Sequence, residues 1–268
     1  MTDGPLELHL IDAFSSGPFT GNPAAVVLLD HARPDSWLQQ VAMEMNQAET
    51  AFLLRQDDGW SLRWLTPVAE VALCGHATVA STHFLWERGD LAVDQVARFH
   101  TLSGVLTAVR NAQGEITLDF PGIPSNPLAP PDDIAAVLGV TPRQTLRGRY
   151  DLLCVVDDAA AVRRLTPDLG AMAKWDARGV SVTAAGDQPG IDFVSRCFFP
   201  RLGVPEDPVT GSAHCALAVY WSSHLGRAKV TGYQASPRGG TVRCAVVGDR
   251  VHLSGRAVTT VRGQLLAS

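Results

Sequence analysis

The chain opens on a loose alternation of apolar and polar residues from Leu6 to Phe14, which predicts a strand. A turn at Thr20-Gly21-Asn22-Pro23 leads to an apolar strand from Ala24 to Leu29. Trp37, Leu38, Val41, Ala42 and Met45 then fall on one helical face, with Asp35 placed to cap the helix and Asn46-Gln47 to end it. Strands are predicted at Glu49 to Leu54 and through Leu62, Trp64 and Pro67. Two segments read as helices buried on nearly every side: Ala77 to Trp86 and Ala213 to His224. The first is followed by strands at Val93 to Phe99, Gly104 to Val109 and Glu115 to Phe120, the last two joined through Asn111 to Gly114.

Pro121 to Pro131 carries five prolines among Gly, Ser and Asn and reads as a linker. The same plan then restarts. Short helices are predicted at Asp132 to Leu138 and Pro167 to Lys174, and strands at Leu152 to Val156, Val180 to Ala184 and Asp192 to Phe199. After the second buried helix come strands at Lys229 to Gln234, Gly240 to Val247, Arg250 to Leu253 and Ala257 to Leu265. The expected architecture is α+β, with two similar domains related by a pseudo-twofold duplication. Each would be a β-rich sheet around one apolar helix. The expected boundaries are 1–122 and 123–256, with the last strand, 257–268, a candidate to cross back to the first half.

The entries to the two buried helices repeat one pattern. Glu70 stands five residues before Gly75, and Glu206 five before Gly211; a small residue, Ala77 or Ala213, then opens an apolar run. A Gly-led helix start leaves backbone N–H groups unpaired at the positive end of the helix dipole, which suits an anion such as a carboxylate. Two such starts in one chain point to a duplicated fold with one cleft between its halves.

Composition narrows the function. Of 268 residues, 46% are hydrophobic and 18% charged, the balance of a packed domain rather than a disordered one. A net charge of −5 without a Lys/Arg-rich run argues against nucleic acid. No apolar run is long enough for a membrane span, and Met1 to Pro5 lacks the features of a signal peptide, so a cytoplasmic location is expected. The five cysteines are odd in number and widely spaced, forming neither a disulfide framework nor a metal motif; buried thiols are expected. Nucleotide-binding, serine-hydrolase and zinc-protease signatures are absent.

The residues alone leave the chemistry open. Glu49, among Ala48, Ala51, Phe52 and Leu53, suits either a strand-edge surface position or a partly desolvated base. His76 is either a satisfied structural group or a donor at the first helix start, and no metal spacing forms around it. Asp207 reads as a dipole partner of the second helix or as a cleft acid. Gly75, Gly211, Ser212 and Ala213 offer backbone donors, and Ser212 a hydroxyl, but ordinary capping explains them equally. A turn explains Asn22. His214 is a candidate support for the second helix start.

Asp12-Ala13-Phe14, Phe19-Thr20-Gly21-Asn22-Pro23-Ala24-Ala25-Val26, Asn46-Gln47-Ala48-Glu49-Thr50-Ala51-Phe52, Leu73-Cys74-Gly75-His76-Ala77-Thr78 and Glu206-Asp207-Pro208-Val209-Thr210-Gly211-Ser212-Ala213-His214 occur in this order. With the C-terminal Gly255-Arg256-Ala257-Val258-Thr259, they resemble the phenazine-biosynthesis isomerase-like (PhzF-like) family over nearly the whole chain. The resemblance implies the diaminopimelate-epimerase fold, each domain a β-barrel around a central helix. It also implies a homodimer and a reaction without metal or organic cofactor. Glu49 would be the catalytic base, with His76 and Asp207 in the site and Asn22 near it. Glu49 and Asp207 would form a carboxyl pair, one charged and one neutral. The substrate class is a small carboxylic acid, and the expected activity is isomerisation by proton transfer. Cysteine-dependent epimerases of that fold place one thiol at each helix start. Here Cys74 holds the first place, but Thr210-Gly211-Ser212 occupies the second and Cys215 lies deeper. A cysteine-type racemase is the alternative reading, and a non-catalytic binding protein of the same fold a further one.

Overall fold

In the computed structural model the described residues are 4–266. Met1 to Asp3, part of the segment read for a leader, and the last two residues of the predicted 257–268 segment lie outside them. The fold is α+β, with mixed sheets and few helices. The chain divides into two compact units; the first ends at Asp119 and resumes at Ser254, and the second runs Phe120–Leu253.

The first unit contains β1 (Leu6–Ala13), β2 (Asn22–Leu29), α1 (Asp35–Met45), β3 (Glu49–Gln56), β4 (Gly59–Leu65), β5 (Glu70–Val71), α2 (Gly75–Arg88), β6 (Ala97–Thr101), β7 (Gly104–Arg110), β8 (Ile116–Pro121) and the final strand β18 (Ala257–Leu265). β1 pairs antiparallel with β2 on one side and with β18 on the other. β2 pairs parallel with β3, β3 antiparallel with β4, β4 parallel with β6, and β6, β7 and β8 follow antiparallel. β5 attaches to the end of β4.

α2 packs on β1, β2, β3 and β18. Every residue from His76 to Thr82 is buried, as are Phe84 and Leu85. The apolar side chains Val79, Phe84 and Leu85 are fully enclosed, each worth about 1.5–3 kcal/mol of transfer free energy. The polar residues in this buried helix satisfy themselves locally: Thr78, Ser81 and Thr82 each donate a hydroxyl to the carbonyl one turn back. That explains how a helix carrying two threonines and a serine sits at the centre of the unit.

The second unit contains β9 (Asn126–Pro127), α3 (Ile134–Leu138), β10 (Gln144–Arg147), β11 (Leu152–Val155), α4 (Ala159–Arg163), α5 (Leu169–Met172), β12 (Val180–Ala185), β13 (Phe193–Phe199), β14 (Val204–Asp207), α6 (Gly211–Leu225), β15 (Lys229–Gln234), β16 (Gly240–Val247) and β17 (Arg250–Gly255). Its ladder repeats the first. β10 pairs antiparallel with β11, β11 parallel with β12, β12 antiparallel with β13, β13 parallel with β15, and β15 antiparallel with β16. β14 attaches to β13 as β5 does to β4. α6 packs on β15 and β16. A separate core gathers under α3, α4 and α5, including Leu138, Val162, Met172 and Phe198.

Several local expectations differ from the structure. Asp35 does not cap α1: Pro34 is the cap, no side chain bonds it, and Asp35 instead accepts from Arg63 Nη1 at 2.8 Å. Asn22 is the first residue of β2, not part of a free turn. Val93 is an exposed loop residue, because β6 begins only at Ala97. The Pro-rich stretch carries the two-residue strand β9, which pairs with β10. Asn46 does end α1, in the left-handed conformation at φ 48°, which Asn adopts more readily than most residues.

Candidate functional site

In the first unit the sequence-expected residues meet at the start of α2. β3 begins with Glu49, whose parallel pairing with β2 sets it opposite Ala24, two residues after Asn22. Cys74 is the N-cap of α2, but its side chain makes no capping bond. Its Sγ instead lies 3.5 Å from His76 Nδ1. Asn22 Nδ2 lies 3.3 Å from the same nitrogen. On the other side of the ring, His76 Nε2 stands 3.3 Å from Glu49 Oε2, without hydrogen-bond alignment. The first intrahelical bond runs from Thr78 N to the Cys74 carbonyl at 3.2 Å, so the N–H groups of Gly75, His76 and Ala77 precede it.

The separation between His76 and Glu49 is that of an ion pair, yet burial pushes the His76 pKa down to about 3. Enclosure wins over the neighbouring carboxylate, and the ring is neutral near pH 7. With the Asn22 amide nitrogen facing Nδ1, the one ring proton is assigned to Nε2, on the Glu49 side of the ring but not aligned with its carboxyl group. Glu49 itself keeps 19% of its side chain accessible, while His76 keeps 7%. The arrangement is a carboxylate open on one side with a fixed neutral imidazole behind it.

In the second unit β14 delivers Asp207 to the start of α6. Thr210 is the N-cap, again without a side-chain capping bond. Its hydroxyl donates to Asp207 Oδ2 at 2.5 Å. Gln234, fully buried at the end of β15, binds the corner together: its Nε2 donates to the Asp207 carbonyl at 2.6 Å, and its Oε1 accepts from Thr210 N at 2.9 Å. His214 Nδ1 donates to the Thr210 carbonyl at 2.8 Å, and burial lowers its pKa to about 4. His214 is thus a structural brace of this corner. The N–H groups of Gly211, Ser212 and Ala213 precede the first helical bond, which His214 N makes to Thr210. Ser212 Oγ accepts from Arg178 Nη2 at 3.1 Å, and Arg178 is forked onto Asp151 at 2.9 and 2.5 Å.

The acids that mark the two helix entries have a shared structural role. In β4, Arg63 forks onto Glu70 through Nε at 2.8 Å and Nη2 at 2.6 Å. In β13, Arg196 forks onto Glu206 through Nε and Nη2, both at 2.7 Å. Each fork ties a short strand to the sheet just before the helix begins. Glu70 and Glu206 therefore hold the corner, and alternation along β14 leaves Asp207 to face the other way.

Residues missed from the sequence are Gln234, Thr210, Arg178 and Asp151. Gln234 had a signal: Val230, Gly232 and Gln234 share the buried parity of β15, and a polar residue there needs partners. Arg178 and Asp151 had none, since both come from loops. Cys215 is buried, its thiol pushed up to about 12, with Sγ 3.5 Å from the Gly211 carbonyl inside the helix. It does not stand at the helix start. Two further histidines serve elsewhere: His83 meets Thr259 and His100 meets Asp58. Among the described residues, no helix is long and apolar enough to cross a membrane.

This α+β fold is shared with proteins described as isomerases and epimerases. The chain belongs to the phenazine biosynthesis-like (PhzC-PhzF) family, whose sequence profile matches residues 11–263. It is 46% identical over 97% of its length to an uncharacterized isomerase of Halalkalibacterium halodurans, covering 98% of that protein. It is also similar to the crystal structure of a PhzF-family phenazine biosynthesis protein of Enterococcus faecalis, with a TM-score of 0.93 and 39% identity over 97% of this chain and 98% of that one. A Pseudomonas aeruginosa structure described as a predicted epimerase is similar at a TM-score of 0.76 and 26% identity, over 98% and 100% of the chains.

Proposed function

We propose that the protein is an isomerase that moves a proton on a small carboxylic acid by carboxylate chemistry. The observation that carries this reading is the 3.3 Å approach of Glu49 Oε2 to His76 Nε2 at the uncapped start of α2. Glu49 removes a proton from a carbon acidified by conjugation and returns it at another carbon on the same face. The Nε2–H of His76 stabilises charge that develops beside it, and the ring does not compete for the proton because its pKa is far below that of a free imidazole.

The corner at α6 supplies the anion site. Gly211, Ser212 and Ala213 N–H groups bind the substrate carboxylate, the Ser212 hydroxyl adds a bond, and Asp207 orients a neighbouring polar group. Gly75 N–H serves in the same way at α2. In this reading the two units are copies of one ancestral barrel-like plan, as in diaminopimelate epimerase. The chemistry uses only the chain's own groups.

Screening small acids by NMR for C–H exchange in heavy water tests the assignment. The expected result is solvent deuterium at two carbons of one substrate, dependent on Glu49. Full exchange by Glu49→Gln would sink it. The cysteine-type racemase is disfavoured because a two-thiol reaction needs a second sulfur at the α6 start, where Thr210 stands.

A further inference from the structure

One donor atom from each of Glu49, Cys74 and His76 lies within 4.8 Å of the other two. No spacing rule reveals this set, because Glu49 reaches it from a different strand. Carboxylate oxygen, imidazole nitrogen and thiol sulfur together are the donor types that zinc prefers. Around zinc, with bonds of about 2.0–2.3 Å, tetrahedral ligands stand roughly 3.3–3.6 Å apart. The Cys74 Sγ to His76 Nδ1 and His76 Nε2 to Glu49 Oε2 separations, 3.5 and 3.3 Å, are already of that size. These two separations run to opposite ring nitrogens; taken with one ligand atom per residue, the three atoms still lie within 4.8 Å of one another, and side-chain movement closes them onto one ion.

A second observation concerns Cys74. N-cap positions favour Ser, Thr, Asp or Asn, whose oxygens bond the helix N–H groups. Cys74 makes no such bond and turns its sulfur to the imidazole instead. The positive end of α2 opposes a cation there, but thiolate and carboxylate together carry two negative charges, which neutralise a divalent ion.

We propose that Glu49, Cys74 and His76 form a binding site for a thiophilic divalent cation, zinc or cobalt, with the fourth position open to solvent. On binding, the Cys74 S–H bond breaks, its proton goes to the buffer, and sulfur, imidazole nitrogen and carboxylate oxygen take three positions of a four-coordinate ion that keeps one water and releases the rest. Binding stands independently of the proposed reaction; its consequence, that the ion silences Glu49 and His76, rests on that reading. The site would make the protein zinc-inhibited rather than zinc-dependent.

The test is cobalt(II) titration of the full chain, purified with chelator and kept reduced with a phosphine. The expected result is one equivalent of cobalt with a thiolate-to-metal charge-transfer band in the near ultraviolet, displaced by zinc and lost in Cys74→Ser. No band in the wild type, or a band that persists in Cys74→Ser, overturns the site. Should Cys74→Ser fail to fold by circular dichroism, Glu49→Gln and His76→Gln replace it, and unchanged cobalt affinity in both overturns the site equally. Failure here leaves the heavy-water exchange intact, whereas Glu49-independent exchange removes the proposed reaction and leaves the cobalt result standing.

Discussion

Glu49 Oε2 stands 3.3 Å from His76 Nε2, joining the first residue of β3 to the second residue of α2. The contact is made possible by the parallel β2–β3 ladder, which sets Glu49 opposite Ala24, two residues after Asn22, the residue that holds the other ring nitrogen. A base, a neutral donor and the amide that fixes the donor's tautomer are thereby assembled from three elements.

Glu49→Gln removes the base while keeping the shape. Exchange of substrate protons should fall by about 10²–10⁴, the usual share of general base catalysis. Thermal unfolding followed by circular dichroism should be within a few degrees of the wild type, because Glu49 is only partly enclosed. A variant that exchanges normally removes Glu49 from the mechanism.

Stability should depend on pH through His76 and His214. Burial holds their pKa values near 3 and 4, below the roughly 6.5 of an unfolded histidine. Above about pH 6.5 neither the folded nor the unfolded chain binds these protons, and the folded state keeps its full stability. As pH falls below that value, the unfolded chain takes up protons that the folded chain refuses. Stability should then decline by at most about 1.4 kcal/mol per pH unit for each ring, down to the folded pKa. Urea midpoints measured between about pH 7 and pH 5 should drop. His214→Asn should flatten the slope, and an equally steep profile in that variant counts against the assignment.

Arg178 should act as a positioning residue. Its Nη2 donates to Ser212 Oγ, so the serine proton is directed away from Arg178. Arg178→Ala should raise KM about fivefold, the worth of one hydrogen bond, with a smaller effect on kcat. Arg178→Lys should not rescue KM, because a lysine does not reproduce the two-toothed grip on Asp151. Equal losses in kcat and KM binding, or full rescue by Lys, point to a different role.

The forks at the two helix entries should differ in weight. The Arg196–Glu206 pair keeps 12% and 16% of its side chains accessible, against 30% and 24% for Arg63–Glu70. Breaking a pair as enclosed as the former should cost about 3 kcal/mol, so Arg196→Met should lower the urea midpoint clearly. Arg63→Met should cost roughly 1 kcal/mol. The reverse order would show that the second fork is not what secures β14.

Gly232 has no room for a side chain: a Cβ there would meet the Phe193 ring at 2.3 Å and His214 Nε2 at 3.1 Å. Gly232→Ala should destabilise by about 1–3 kcal/mol through overpacking and should weaken the Thr210 corner that His214 braces. A neutral Gly232→Ala in denaturant melts places slack in this core that the structure does not contain.

Much of the architecture was legible because its signals are local. Two runs that read as buried helices became α2 and α6, and most strands follow from alternation bounded by turns. Short elements escaped for the same reason. β5 and β9 are two residues long, too short for any period, and exist only because β4 and β10 offer them partners. The acidic residues before the helix starts stood out in sequence, but their neighbours in sequence gave no hint of the arginines that grip them from β4 and β13.

The sequence by itself determined the α+β composition, the two buried helices and the family, with Glu49, His76 and Asp207 as the residues to examine. Only tertiary structure decided which groups share one environment. Parallel strand pairing joins residues remote along the chain, so Asn22, Glu49 and His76 meet through the β2–β3 ladder rather than through any spacing. Burial, which no single residue encodes, made His76 neutral. Side-chain direction at a helix cap turned Cys74 toward the imidazole and away from the helix it begins.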